Sequence, residues 1–390
     1  MIIISRIKSL IHSSILFCAF LSTHAFGLAD EIKGQVYSIA LQADSKVLVG
    51  GTFYEVNDVS RMGIARLNAD GTLDTTFNPG DGVNGIVLEI ALQADGKILI
   101  GGGFDEVNGI SRHDIARLNA DGSLDSTFSP VAGENNWFKS LILQPDDKIL
   151  LGGRWRDPAD GLSKPRLLRL NSDGSVDSTF NSIVSYSTDA LALQPDGKVI
   201  VGGFDLVRLN ADGSLDSTFD SGDVIDSGVW SLALQPDGKI LVGRSYSDQI
   251  IRLNANGSVD PTFVLGDRVG ERANAIVVLS SGKILFSAIR VIKDNDDDGL
   301  TPALARLNAD GSLDPTFGIV YATGNASTIY EIVKQPNDKL LVGGVFNRLN
   351  RAFTPGVARL NANGTLPLGD SDELCLPIKA LKGNIAVVCL

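Results

Sequence analysis

The sequence predicts an all-β fold: a seven-bladed β-propeller of four-stranded antiparallel blades, followed by a short C-terminal β-hairpin. One phrase occurs seven times, most clearly as Leu-Asn-Ala-Asp-Gly-Ser-Leu-Asp at residues 118–125. A second phrase, Leu-Gln-x-Asp-Gly-Lys followed by Ile-Leu-Val-Gly-Gly, precedes each copy. The copy that begins at Lys334 is degenerate. The leading leucines lie 39 to 54 residues apart, at Leu67, Leu118, Leu170, Leu209, Leu253, Leu307 and Leu360. A recurring period of this size is typical of repeat architectures.

Each repeat is predicted to be a meander of four strands. In the second repeat, apolar runs at residues 90–93, 97–102, 114–119 and 124–128 are separated by two Asp-Gly turns and one polar loop. Asp-Gly between apolar runs favours a hairpin, because glycine accepts the positive φ that such turns need. An open β-solenoid is the alternative, but its coils are usually shorter and lack two such hairpins per unit.

The predicted propeller extends over residues 30–368. Its blades are expected near residues 34–78, 86–128, 136–180, 188–219, 227–263, 272–317 and 327–366. Blade 7 departs from the pattern, since Pro367 replaces the usual aspartate and the Thr-Phe pair is missing. The sequence does not show how the ring closes, because no strand precedes blade 1 to complete blade 7.

These repeats resemble those of the bacterial delta-60 repeat proteins, over roughly residues 34–366. The resemblance implies a secreted β-propeller. It implies little about function, since that family is defined by its repeat and not by a shared activity.

The N-terminal residues 1–27 are predicted to be a secretory signal peptide. Arg6 and Lys8 flank an apolar stretch at residues 15–21, which small residues follow. That stretch is too short to span a bilayer, and no other apolar run could span one. We therefore expect an exported, monomeric protein in the periplasm, at the cell surface or outside the cell. The net charge of −12, made more negative by cleavage, disfavours nucleic acid as a partner.

A C-terminal hairpin at residues 373–390 is predicted to carry a disulfide between Cys375 and Cys389. A three-residue loop with Gly383 would place the two cysteines opposite each other. Opposed cysteines in a non-hydrogen-bonded pair lie close enough for a disulfide, which persists in exported proteins. The alternative is a pair of free buried thiols.

The side of the ring opposite the Asp-Gly turns, which we call the variable face, is the candidate functional surface. Its strand 2–3 loops differ in length, with 4 to 17 residues between the Gly-Gly pair and the arginine before each Leu-Asn. Variable loops on a constant scaffold often carry function. One position near the start of strand 1 also varies, and we expect it at the mouth of the central channel. Counting five residues back from each glutamine gives Tyr37, Leu88, Lys139, Asp189, Trp230, Ala275 and Tyr330, and the next position adds Glu89 and Glu331.

Aromatic side chains beside charges suit a glycan or a peptide ligand. The ligand-binding candidates are Tyr37, Glu89, Lys139, Asp189, Trp230 and Tyr330, with Trp137 and Trp155 near blade 3 on the same side. Packing between blades is the alternative role for all of them. The seven arginines before Leu-Asn are instead expected to pair with the repeat aspartates.

A calcium site is possible in the long loop of blade 6. Asp294, Asp296 and Asp298 have the spacing of the first half of a calcium loop, and the carbonyl of Leu300 would be a further ligand. Position 12 would be Ala305, so the usual bidentate glutamate is absent. The alternative is a solvated acidic turn.

The function most consistent with the sequence is a binding module for an unknown protein or glycan. Residues 28–390 contain one histidine, His113, and no Gly-x-Ser-x-Gly motif, so signatures of common hydrolases are missing. Two alternatives stay open: a calcium-dependent hydrolase or lyase with carboxylates at the channel mouth, and a cell-surface structural protein without a small ligand.

Overall fold

The computed structural model describes residues 31–130, 137–156, 163–184, 186–222, 225, 228–244, 250–266, 269–292, 301–324 and 327–367, and the backbone of residues 375–379 and 385–389. All regular elements in these ranges are β-strands. No helix among them has the length and apolar character needed to cross a membrane. The chain divides into a large unit, Gly27–Pro367, and a smaller unit that contains the C-terminal hairpin.

The large unit contains seven antiparallel sheets in which the second strand of each repeat lies between the first and the third. These strands are Val36–Leu41, Val47–Gly51 and Ile64–Leu67 in blade 1; Ile86–Leu92, Ile98–Gly103 and Ile115–Leu118 in blade 2; Trp137–Leu143, Ile149–Arg156 and Ser163–Leu170 in blade 3; Thr188–Leu193, Val199–Gly203 and Leu206–Leu209 in blade 4; Val229–Leu234, Ile240–Arg244 and Ile250–Leu253 in blade 5; Val269–Val278, Ile284–Ile292 and Thr301–Leu307 in blade 6; and Thr328–Lys334, Leu340–Val345 and Val357–Leu360 in blade 7.

The predicted fourth strand is shorter than expected. In six blades it is reduced to one bridge, as between Leu67 and Leu73 in blade 1. The following aspartate ends the pairing because its side chain turns inward and caps the next turn. In blade 1 the amide and hydroxyl of Thr76 both donate to Asp74, and the amide of Phe77 donates to the Asp74 carbonyl. Blades 1 to 5 are therefore three-stranded sheets with a bridged outer turn. Blade 6 has the same bridge, and its third strand also pairs with Val320–Thr323.

A set of contacts that recurs from repeat to repeat explains this turn. In blade 1, Asp74 is buried and accepts hydrogen bonds from Arg66 Nε at 2.7 Å and from Lys46 Nζ at 2.9 Å. The Arg66 guanidinium lies over the Phe77 ring, 4.9 Å from its centroid. The same arginine–aspartate pair recurs in blades 2 to 6, which confirms the expected pairing for six repeats. In blade 7, where Pro367 stands in the aspartate's place, the arginine pairs with Gln335 instead.

The Gly-Gly pair in the second strand permits close packing between blades. A Cβ atom on Gly50 would lie 2.7 Å from Val87 Cγ1 of the next blade. A Cβ atom on Gly51 would lie 1.9 Å from the carbonyl oxygen of Gln35 in its own blade. A Cβ atom at either position of blade 1 would therefore clash unless these neighbouring atoms moved.

The ring closes by packing between blades 7 and 1. In the described residues, buried apolar side chains form seven clusters, each shared by two consecutive blades. One of them joins Ile39 and Val49 of blade 1 to Leu341 and Val357 of blade 7. Each repeat arginine also donates from Nη1 to a backbone carbonyl of the next blade, and Arg359 of blade 7 donates to Ala69 of blade 1 at 2.8 Å.

Small hairpins rise from the strand 2–3 loops of blades 7, 1 and 2. Their paired segments are Arg348–Leu349 with Ala352–Phe353, Glu55–Val56 with Val59–Ser60, and Glu106–Val107 with Ile110–Ser111. Each hairpin also pairs with the segment that leads into its blade, through Val320–Thr323, Ile32–Lys33 and Val83 respectively. The variable face is therefore asymmetric, since blade 4 has only a short turn there.

The C-terminal hairpin consists of Cys375–Lys379 and Ile385–Cys389. Its backbone register pairs Cys375 with Cys389, as the sequence predicts. The side chains of both residues lie outside the described part of the chain, so the disulfide stays a prediction.

Candidate functional site

Every blade has a β-bulge near the start of its first strand. The pairing of the first and second strands shifts register there by one residue, as between Val36 and Ser38 in blade 1. A bulge leaves one residue unpaired and redirects its side chain. The unpaired residues are Tyr37, Leu88, Lys139, Asp189, Trp230, Asn274 and Tyr330.

All seven bulged residues line one cavity of about 430 Å³. Ile86, Glu89, Arg272 and Glu331 complete its lining. The first strand begins where the second strand ends, so the cavity opens on the side of the variable loops. The structure therefore brings together six of the eight residues that the sequence analysis named as ligand-binding candidates.

In blade 6 the sequence count was wrong by one residue. It gave Ala275, whereas Asn274 is the bulged residue and Ala275 packs against the core shared with blade 7. The reason is that Leu279 occupies the place of the repeat glutamine. Its amide donates to the carbonyl of Lys283, just as the amide of Gln235 donates to the carbonyl of Lys239 in blade 5.

One half of the cavity wall is a chain of charged and aromatic contacts. Lys139 forms an ion pair with Asp189, and its Nζ lies 5.4 Å from the Trp230 ring centroid. The Arg272 guanidinium carbon lies 3.7 Å from the centroid of the same ring. Side chains from four consecutive blades are thus linked. Two of them, Lys139 and Arg272, place a cation near the ring of Trp230, which is one of the ligand-binding candidates.

The opposite half of the wall is more apolar. The Tyr37 and Tyr330 rings pack with their centroids 5.3 Å apart and an interplanar angle of 51°. The Tyr37 hydroxyl donates to Gln35, and burial raises the pKa of Tyr330. Leu88 and Ile86 of blade 2 continue this surface.

Two carboxyl groups lie in the cavity wall beside the tyrosines. Glu89 and Glu331 face the cavity and keep some solvent-accessible surface, although protein atoms surround them. Burial raises the pKa of Glu331 to about 8. Burial, and secondarily the charge of Glu331, raises the pKa of Glu89 well above its usual value. With a pKa of about 8, Glu331 is largely protonated at neutral pH, and burial favours the neutral form of Glu89 in the same direction.

Arg272, Asn274 and Ile86 are the cavity residues that the sequence analysis missed. Arg272 lies two residues before the bulge, in the position that Ile86 occupies in blade 2. Arg272 Nε and Asn274 Nδ2 are buried and have no hydrogen-bond partner within the described ranges. A comparison of the residue two before each bulge could have identified Arg272, because a lone arginine there stands out among uncharged residues.

The remaining sequence candidates fall outside what the structure describes. Trp137 and Trp155 lie in strands of blade 3, but their side chains are outside the described residues. Asp294, Asp296, Asp298 and Leu300 also lie outside them. Among the described residues, no group of three or more potential metal ligands is clustered. Calcium at the blade 6 loop stays a prediction.

Several solved propeller structures are similar to this chain. The WD40 β-propeller domain of Doa1 aligns with a TM-score of 0.59 at 16% identity, over 85% of this chain and 95% of that one. A streptogramin B lyase aligns with a TM-score of 0.55 at 14% identity, over 85% and 95% of the two chains. Virginiamycin B lyase from Staphylococcus aureus aligns with a TM-score of 0.54 at 13% identity, over 85% and 96%. At these identities the likeness shows the fold alone.

A search of curated proteins finds no match to this chain. A family profile described as "Domain of unknown function (DUF5122) beta-propeller" matches seven segments, at residues 42–77, 93–128, 144–180, 194–219, 235–263, 279–317 and 335–366. The segments together cover more than half of the chain, one in each blade. The chain therefore belongs to the DUF5122 beta-propeller family.

Proposed function

We propose that this protein is a ligand-binding β-propeller that uses the cavity at the mouth of its central channel. The observation that carries the proposal is the set of seven β-bulges, which direct seven side chains into one cavity. Elsewhere the repeats are more uniform, with similar turns throughout, a Gly-Gly pair in five blades and an arginine–aspartate pair in six. At the bulge they differ in chemistry, from Leu88 to Lys139 to Trp230, and only blades 1 and 7 share a residue type.

The lining suits recognition of an organic ligand. Binding sites typically combine apolar and aromatic surface with a few placed polar groups, in clefts of about 300–1,000 Å³. This cavity has a tyrosine pair and two aliphatic side chains on one half, and three charged groups around Trp230 on the other. A purely structural channel would need neither the ion pair nor the buried carboxyl groups.

The N-terminal sequence supports export, so we propose that the protein works in the periplasm, at the cell surface or outside the cell, as a monomer. Two accessory features belong to the same proposal. The acidic loop of blade 6 would bind calcium and order part of the variable face. The C-terminal hairpin would be locked by its disulfide.

A screen of glycans and peptides against the purified mature protein tests the proposal. We expect a ligand whose binding is lost in Tyr330→Ala, which removes one side of the tyrosine pair. Phe353→Ala is the matched control, because Phe353 is an exposed aromatic residue on the blade 7 hairpin of the same face and does not line the cavity. Binding that is lost equally in both variants, or in neither, would place the site elsewhere.

A second candidate function is a hydrolase or lyase, dependent on calcium, that uses the cavity carboxyl groups. The observation that favours it is Glu331, whose pKa of about 8 allows it to donate a proton at neutral pH. Turnover of a bound ligand that Glu331→Gln abolishes without weakening binding would support the enzyme. Binding without turnover would support the module.

A further inference from the structure

Arg272 differs from the repeat arginines in what its side chain contacts. Six of the repeat arginines pair with a buried aspartate, and the seventh pairs with Gln335. The Arg272 guanidinium instead lies against Trp230, and within the described residues it has no carboxylate partner. A guanidinium held by its face on an aromatic ring keeps its in-plane N–H groups available, and these match the two oxygens of a carboxylate.

The surroundings of Arg272 also favour an acceptor. Asn274, on the same strand, is 9% exposed and its amide nitrogen is an unpartnered donor within the described part of the chain. Lys139 is already paired with Asp189, so these two charges offset each other. Among the residues that the structure describes, Arg272 is thus the one cation of the cavity lining without a carboxylate partner.

The two glutamates of the cavity wall form no ion pair with that cation in the described residues. Glu89 from blade 2 and Glu331 from blade 7 are the carboxyl groups of the lining without an ion-pair partner in the described residues. Burial raises the pKa of both groups, to about 8 for Glu331, and so favours their neutral forms. Lys139, Asp189, Arg272, Tyr37 and Tyr330 are the other titratable groups that face the cavity. Arg272 is therefore, among the described residues, a cation without a carboxylate partner inside a protein of net charge −12.

We propose that the cavity binds a uronic acid residue of an acidic glycan, with its carboxylate on the Arg272 guanidinium and its sugar ring against the Tyr37–Tyr330 pair. This inference rests on the proposed function and specifies its ligand class. One uncompensated cation matches a monoanion, whereas a phosphate monoester carries roughly −1.5 to −2 charge. Asn274, Glu89 and Glu331 line the cavity and supply the hydrogen-bonding groups that sugar hydroxyls need.

Calorimetric titration of the mature protein with D-glucuronate and short oligoglucuronates tests the inference, with D-glucose and the matching neutral oligosaccharides as controls. We expect the acidic sugars to bind at least about tenfold more tightly than the neutral ones. Arg272→Gln should weaken binding of the acidic sugars by about 10- to 100-fold, the range for losing hydrogen bonds to a charged group. Arg272→Lys should weaken it less, because it keeps the charge but loses the planar fork.

Arg348→Gln is the control, since Arg348 is an exposed arginine near the Phe353 ring on the same face and outside the cavity. It should bind as the wild type does. Affinity for the acidic sugars should also fall as pH rises through about 8, because deprotonated Glu331 would repel the ligand.

Equal affinity for acidic and neutral sugars, or an unchanged affinity in a folded Arg272→Gln variant, would overturn the inference. The wild-type comparison of the two sugar classes decides it even if that variant fails to fold. Binding of a neutral glycan or a peptide that Tyr330→Ala abolishes would leave the proposed function standing and remove only the acidic ligand. Absence of any ligand in the wider screen would count against both the proposed binding function and the acidic-glycan ligand.

Discussion

Replacement of one repeat aspartate, Asp125→Asn, should destabilise the propeller strongly. Asp125 is 4% exposed and accepts hydrogen bonds from Arg117 Nε at 2.7 Å, Lys97 Nζ at 3.0 Å and the amide and hydroxyl of Thr127. Arg117 in turn donates to the Ser172 carbonyl of blade 3. Loss of the negative charge leaves a buried arginine without its counterion beside a second cation, and weakens the contact between two blades.

The size of the expected loss in stability follows from the burial of the Arg117–Asp125 pair. Removing one partner of a buried ion pair costs about 3–5 kcal/mol. Lys97 is 30% exposed at its side chain and contributes less, because solvent screens its charge. The Arg117 pair therefore dominates, and we expect a loss of about 2–4 kcal/mol in the free energy of unfolding.

Urea unfolding of wild type and variant, followed by circular dichroism, measures this loss. Asp121→Asn is the matched control, because Asp121 lies in the same repeat, carries the same charge and is exposed, and its side chain accepts hydrogen bonds from Ser123 of its own turn. It should change stability by less than about 0.5 kcal/mol. Equal effects of the two substitutions would refute the role assigned to the buried aspartates.

Four further predictions follow from the same structure. Stability should fall as pH drops below about 4, the unfolded-state pKa of aspartate. Six buried aspartates have folded-state pKa values well below the usual range, so the unfolded chain binds more protons there. Urea midpoints between pH 2 and 6 check this, and a flat profile would contradict it. Calcium should bind the wild type with a Kd on the order of 10⁻⁴ to 10⁻³ M by calorimetry and should not bind Asp296→Ala, whereas absence of binding heat in the wild type would leave a solvated acidic turn. Mass spectrometry of exported protein without reductant should show the Cys375–Cys389 disulfide as a loss of two hydrogens, and alkylation of both thiols would exclude it. Gly152→Ala should lower the free energy of unfolding by about 1–3 kcal/mol, because its Cβ would lie 2.5 Å from a side-chain methyl of blade 4. Gly266→Ala should change stability little, because no atom lies within 4 Å of that position. Equal unfolding curves for the two variants would contradict the packing argument.

The sequence predicts the fold well because the repeat is local. The Asp-Gly turns and apolar runs determine each sheet, and seven copies determine the number of blades. The fourth strand was overestimated because the apolar run at its start hides the inward turn of the aspartate, which depends on an arginine eight residues earlier. Closure of the ring could not be predicted, because it depends on contacts such as Arg359 with Ala69, 290 residues apart.

The site was predicted in part for the same reason. Counting from the repeat glutamine finds the bulged residue wherever that glutamine is present, and fails in blade 6, where Leu279 replaces it. The count carries no information on how side chains from different blades meet across the channel. The contact of Arg272 with Trp230 and the raised pKa values of Glu89 and Glu331 depend on that meeting.

The junction between blades 7 and 1 bears on how the whole ring is held. Each blade is formed by one continuous segment, and in the described residues blade 7 receives no main strand from the other end of the chain. Its junction with blade 1 has the same kinds of contact as the other six, an apolar cluster and an arginine donating to a carbonyl, without a peptide linker. Peptide continuity is therefore not what holds neighbouring blades together. A circularly permuted chain that began at blade 2 and ended with blade 1 would retain every one of these contacts.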